Sequence, residues 1–117
     1  VEPGFKPRKE NAAADLTELM KLDQAAFSKR FRKSPVKRTK RRGLLRNVAV
    51  ALGNWAHADA IPALSIGLHD IESVVRSHSA WALGRINNER SRNELKSAKK
   101  SEKNPQVLRE IETALGE

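Results

Sequence analysis

The chain has 117 residues, no cysteine and a formal net charge of +9. That length makes one small domain with a modest core. The missing cysteine excludes disulfides, thiolate catalysis and cysteine-held zinc or iron–sulfur centres within these residues. Phe and Trp supply only five aromatics and Tyr none, so the core must be built from Leu, Ile, Val and Ala. The abundance of Ala, Leu, Lys, Arg and Glu points to an all-α fold. No apolar run approaches the roughly 18–20 residues of a membrane span, and no secretory leader is visible. The expectation is therefore a cytoplasmic protein without a membrane partner.

In chain order, residues 1–14 read as an extended linker, because Pro3, Gly4 and Pro7 oppose regular structure. The opening at Val1 reads as a piece of a longer protein. Residues 15–117 form the folded domain, beginning with helices over 15–33. Asp15 is placed as an N-cap, with Glu18 in the capping-box position and Leu16, Leu19 and Met20 behind it. Asp23 is a second N-cap, flanked by Leu22 and Phe27 as a hydrophobic staple. Phe27 and Phe31, four apart, are both expected in the core. Ser34-Pro35 starts the next helix, which is expected to bend or restart at Gly43.

The basic segment 29–46 carries most of the excess charge. From Gln24 to Ala58 there is no acid and there are ten cations: Lys29, Arg30, Arg32, Lys33, Lys37, Arg38, Lys40, Arg41, Arg42 and Arg46. The rest of the chain is close to neutral, with thirteen cations against fourteen acids. Segregation of one sign favours a polyanionic partner over a merely solvated surface. On a continuous helix Arg38, Arg42 and Arg46 form a ridge and Lys37 and Arg41 a parallel row, suited to successive phosphates.

An internal repeat follows. Ala-Leu-Gly occurs at 51–53, 82–84 and 114–116, spaced by 31 and 32 residues. A further helical segment precedes the second and third triplets: Ala60 to Leu68, capped by Asp59, and Arg90 to Lys99. Asn104-Pro105 starts the last helix. Two-helix units of this size cannot bury a face alone and stack into an α-solenoid; the competing arrangement is a plain helical bundle. At 100° per residue, Val75, Ser79, Ala82 and Ile86 make a core stripe with Leu83 beside it. His78, Trp81 and Arg85 share a face away from that stripe, next to Arg46 and Asn47 on the preceding unit. An indole between a guanidinium and an imidazole suits stacking on a base; the alternative is that Trp81 packs on a neighbouring repeat. Trp55 is expected with Leu44, Val48, Ala51 and Leu52 in the core. His57, His69 and His78 lack metal-ligand spacing, and no catalytic constellation stands out. Asp70 and Glu72 read as surface acids.

Val75-Arg76 followed by Ala-x-x-Ala-Leu-Gly up to Gly84 resembles the HEAT-like repeats of the bilin-lyase type. Arg46 is displaced by one position in the first unit, and Glu112 replaces the usual Ala in the third. A longer resemblance covers nearly the whole chain. Pro7-Arg8, Asp15-Leu16-x-x-Leu19 and Phe27-x-x-x-Phe31-Arg32 resemble the segment after the second iron–sulfur cluster of the epoxyqueuosine reductases. The stretch from Ser34-Pro35 through Lys37-Arg38, Lys40-Arg41 and Gly43-Leu44-Leu45-Arg46-Asn47 to Gly53-Asn54 resembles their C-terminal region, and 78–86 continues it.

This resemblance implies an oxidoreductase using cobalamin and two [4Fe–4S] clusters, all held by a preceding catalytic domain that is a partner of this piece. It implies that the present residues are a monomeric, C-terminal HEAT-like domain binding the anticodon stem-loop of tRNA. The candidate contacts are Lys37, Arg38, Lys40, Arg41, Arg42, Arg46, Asn47, His78, Trp81 and Arg85. A HEAT-like protein-binding scaffold and a general DNA- or RNA-binding repeat module are the competing readings.

Overall fold

The computed structural model describes the backbone of residues 10–34 and 36–117, and the side chains of 13–34 and 40–117. Among them lie seven α-helices and one 3-10 turn. α1 (Glu10–Met20) begins five residues before the expected cap at Asp15. The strong helix formers Ala12, Ala13 and Ala14 carry the helix upstream, so residues 10–14 are not extended. Residues 1–9 of the expected linker lie outside the described part. Asp23 caps α2 (Gln24–Arg30), accepting a hydrogen bond from the Ala26 amide at 2.8 Å. Phe27 is buried and meets the half-buried Phe31 with ring centroids 5.0 Å apart.

α3 (Val36–Trp55) is two helical segments joined at Lys40, whose φ of 69° and ψ of 156° lie far from the helical region. The break thus falls three residues before Gly43, and residues 38–46 are not one continuous helix. A 3-10 turn (Ala58–Ala60) leads into α4 (Ile61–Gly67). The turn is capped by His57, whose Nδ1 accepts from the Asp59 amide at 3.0 Å; Asp59 lies inside this turn, and α4 begins without the side-chain cap expected from it. α5 (Ser73–Ile86) follows, then α6 (Glu89–Ser101), where Asn88 and Ser91 form a reciprocal capping box. α7 (Pro105–Leu115) starts at Asn104, whose side chain accepts from the amides of Gln106 and Val107.

These helices make two layers. α3, α5 and α7 lie side by side as one layer, while α1, α4 and α6 form the other. Val75, Ser79, Ala82 and Leu83 of α5 are buried, as their spacing predicts. On α3 the most buried residues are Leu45, Ala49 and Leu52. Its face is therefore rotated slightly from the expected one, and Leu44, Ala51 and Trp55 sit at its half-buried margin.

The Ala-Leu-Gly triplets explain how closely the helices of the first layer approach. A methyl group on Gly53 would stand 2.3 Å from Cζ3 of Trp81, and one on Gly84 would stand 2.7 Å from Cβ of Ala114. Both glycines are required by contact with the next helix. Gly116 differs: it has open space beside it and caps α7 at a φ of 80°, a backbone region that favours glycine.

Buried ion pairs clamp the turns between layers. Arg41 Nε donates to the Leu22 carbonyl at 2.6 Å, and its two terminal nitrogens bind both carboxylate oxygens of Asp70. Only 7% of the Arg41 side chain and 5% of the Asp70 side chain remain exposed, so Asp70 is not the surface acid expected. Arg76 makes the corresponding pair with Glu102 at 2.9 Å and also holds the carbonyls of Asp70 and Ile71.

Candidate nucleic-acid interface

The outward face of α3, α5 and α7 gathers most of the candidate residues. Arg42 and Arg46 are exposed and four apart on the second segment of α3. Val50 continues the same row one turn later. Asn47 is exposed beside them and accepts from Arg46 Nε at 3.3 Å and Nη2 at 3.1 Å. Lys40 is exposed at the helix break. The side chains of Lys37 and Arg38 lie outside the described residues.

Arg41 belongs elsewhere. It points into the protein and is neutralised by Asp70, so its charge is spent on joining α3 to the turn before α5. A row made with Lys37 on the solvent side is therefore not available to Arg41. In a run of cations nothing local marks this one, because its carboxylate partner lies 29 residues away.

On α5, His78, Trp81 and Arg85 do come together. The Arg85 guanidinium stands 5.8 Å from the Trp81 ring centroid, within the reach of a cation–π contact. Its Nε donates to the Gly53 carbonyl at 3.4 Å. Trp81 is half-buried because one edge of its indole rests on Gly53. Packing and exposure, posed as alternatives from sequence, thus both hold for this side chain. Trp55 is half-buried too, stacked on the His57 ring at 4.6 Å, so the two tryptophans differ in surroundings more than in burial. His78 Nδ1 donates to the Val74 carbonyl at 2.8 Å, which fixes the ring orientation.

Trp81 and His78 line a shallow pocket of about 340 Å³ with Val50, Ser77 and Glu110. Val50, Ser77 and Glu110 were not among the candidates. The repeat itself could have found Glu110, since a forward shift of 32 residues carries His78 onto it. Among the described residues there is no cluster of His, Asp or Glu able to hold a metal ion.

Residues 38–116 match the family model of HEAT repeats. The chain belongs to the HEAT-repeat family. It is also similar to the epoxyqueuosine reductases. It is 40% identical over 83 residues to the enzyme of Xanthomonas campestris pv. campestris, covering 70% of this chain and 23% of that protein. It is 28% identical over 116 residues to that of Bacillus subtilis, covering 98% and 30%. The chain is similar in structure to a crystal structure of epoxyqueuosine reductase with a tRNA-Tyr epoxyqueuosine-modified tRNA stem loop, with a TM-score of 0.76 and 28% identity. That match covers 86% of this chain and 27% of the other. The chain thus spans between 23% and 30% of the length of these curated relatives.

Proposed function

We propose that this HEAT-repeat chain is the tRNA-contacting part of an epoxyqueuosine reductase and grips the anticodon stem-loop through the outward face of α3 and α5. The observation that carries the reading is the arrangement on that face. Exposed Arg42 and Arg46 lead along one helix row to a pocket walled by Trp81 and His78, with Arg85 against the indole. Cations in a row hold backbone phosphates without sequence choice. The indole offers the stacking surface that unpaired RNA bases use. The similarity to a reductase solved with a tRNA stem loop supports the same choice of partner.

In this reading the reduction of epoxyqueuosine takes place on a catalytic domain that joins this chain in a monomeric, cytoplasmic enzyme. The two [4Fe–4S] clusters do not fit the residues here, which include no cysteine to ligate them, and cobalamin goes with that catalytic domain. The contribution of these residues is to bind and orient RNA.

The test is a titration of the chain with a tRNA anticodon stem-loop at low and moderate salt. Affinity is expected to fall steeply with salt, and an Arg42→Glu/Arg46→Glu variant to bind at least about tenfold more weakly. Equal affinity for duplex DNA at matched salt would reduce the reading to a general polyanion binder. No binding at low salt would overturn it.

A further inference from the structure

The outward pocket holds one group that a phosphate-binding face has no use for. Glu110 of α7 lines it together with Trp81, His78, Ser77 and Val50. Glu110 is half-buried, and its carboxylate has no hydrogen-bond or ion-pair partner among the described residues. A carboxylate repels phosphate. Whatever enters beside it must bring hydrogen-bond donors; phosphate oxygens bring none, whereas a nucleobase edge offers N–H groups.

The other walls fit a base as well. Trp81 supplies aromatic surface and Val50 apolar surface. Because His78 Nδ1 is committed to the Val74 carbonyl, Nε2 is the ring nitrogen left for a ligand. The volume, about 340 Å³, lies at the small end of the roughly 300–1,000 Å³ of small-ligand pockets. An aromatic wall with one carboxylate discriminates among bases by their edges. Guanine carries two adjacent donors, N1–H and N2–H, that match the two oxygens of a single carboxylate. Cytosine and adenine present one amino group, and uracil one imino group.

We infer that this pocket takes one unpaired guanine of the bound RNA, stacked on Trp81 and held by the Glu110 carboxylate through N1–H and N2–H. The inference rests on the RNA-binding reading above and adds a base preference to it. Arg42 and Arg46 at the α3 end hold backbone, while the α7 end supplies the acceptor that reads a base edge. The stacking is sequence-tolerant by itself; the selectivity comes from Glu110.

The experiment compares three pentaribonucleotides, UUGUU, UUAUU and UUIUU, binding to the chain at low salt, with tryptophan fluorescence as the readout. Inosine keeps N1–H and lacks the N2 amino group. UUGUU is expected to bind about tenfold more tightly than UUAUU, with UUIUU between them. Glu110→Gln is isosteric and removes no hydrogen bond or ion pair among the described residues. It is expected to bring the three affinities within about twofold of one another, while Arg42→Glu/Arg46→Glu lowers all three alike. Equal affinities in the native chain, or a guanine preference that survives in Glu110→Gln, would overturn the inference and leave RNA binding standing. If no oligonucleotide and no stem-loop binds, the RNA-binding reading falls and the guanine pocket falls with it.

Discussion

At the α3–α5 junction Gly53 receives the edge of Trp81, and Arg41 is locked to Asp70 in the turn before α5. At the α5–α7 junction Gly84 receives Ala114, and Arg76 is locked to Glu102 in the turn before α7. The mechanical parts recur: a glycine for close approach and an arginine–carboxylate clamp. The outward residues do not recur. Where the first junction shows His78, Trp81 and Arg85, a shift of 32 residues puts Glu110, Thr113 and Glu117 on the second. The repeat therefore conveys how helices stack, and the departures from it convey what the face binds. Along the layer the outward charge changes from uniformly basic at α3 to mixed at α7, where exposed Arg109 adjoins Glu110.

The clamps give the largest expected difference between the junctions. Arg41→Ala leaves Asp70 buried without its counter-charge and should destabilise the chain by about 3–5 kcal/mol. Arg76→Ala should do so by less, because 20% of the Arg76 side chain is already in water. Urea denaturation of both variants checks the order, and an equal loss would erase the distinction.

The glycines come next. Gly53→Ala and Gly84→Ala each overpack a helix contact, at about 1–3 kcal/mol, offset by up to about 1 kcal/mol of added helix propensity. Gly53→Ala must also displace the indole, so it should weaken stem-loop binding. Gly84→Ala should reduce stability and leave affinity in place. Denaturation and titration of the same two variants separate these effects.

The smallest effect is confined to the second clamp and to acid. Burial pushes the Glu102 carboxyl up. The hydrogen bonds and charge of Arg76, with backbone amides of Asn104 and Lys103, outweigh that push and hold it below its ordinary value of 4.5. Its contribution to stability is then complete above about 4.5 and is lost as pH falls through the lowered folded-state value. Glu102→Gln should flatten the decline in stability below that pH, as read from melting temperatures across an acid series.

Much of this architecture was legible from residue spacing alone. The triplets located α3, α5 and α7, the Asn104-Pro105 and Asp23 caps were where side-chain chemistry put them, and the buried stripe of α5 followed from 100° per residue. Three features were not legible. The break at Lys40 has no glycine or proline to announce it, and Gly43 nearby offered a more obvious candidate. The burial of Arg41 depends on Asp70, whose own position is set only when α4 has folded back against α5. Glu110 looks like any surface acid until Trp81 and His78 are beside it.

The break at Lys40 has one further consequence. It makes the residues after it the start of a helix; residues 41–44 contain no acid, and Arg42 stands exposed among them while Arg41 is neutralised by Asp70. A helix beginning carries partial positive charge from its unpaired amides, so cations there oppose the dipole. Without a polyanion this end of the solenoid is electrostatically frustrated, and counter-ions relieve it. Salt thus acts on the chain in two opposite directions: it steadies the fold at this helix beginning, and it competes for the surface that RNA would occupy.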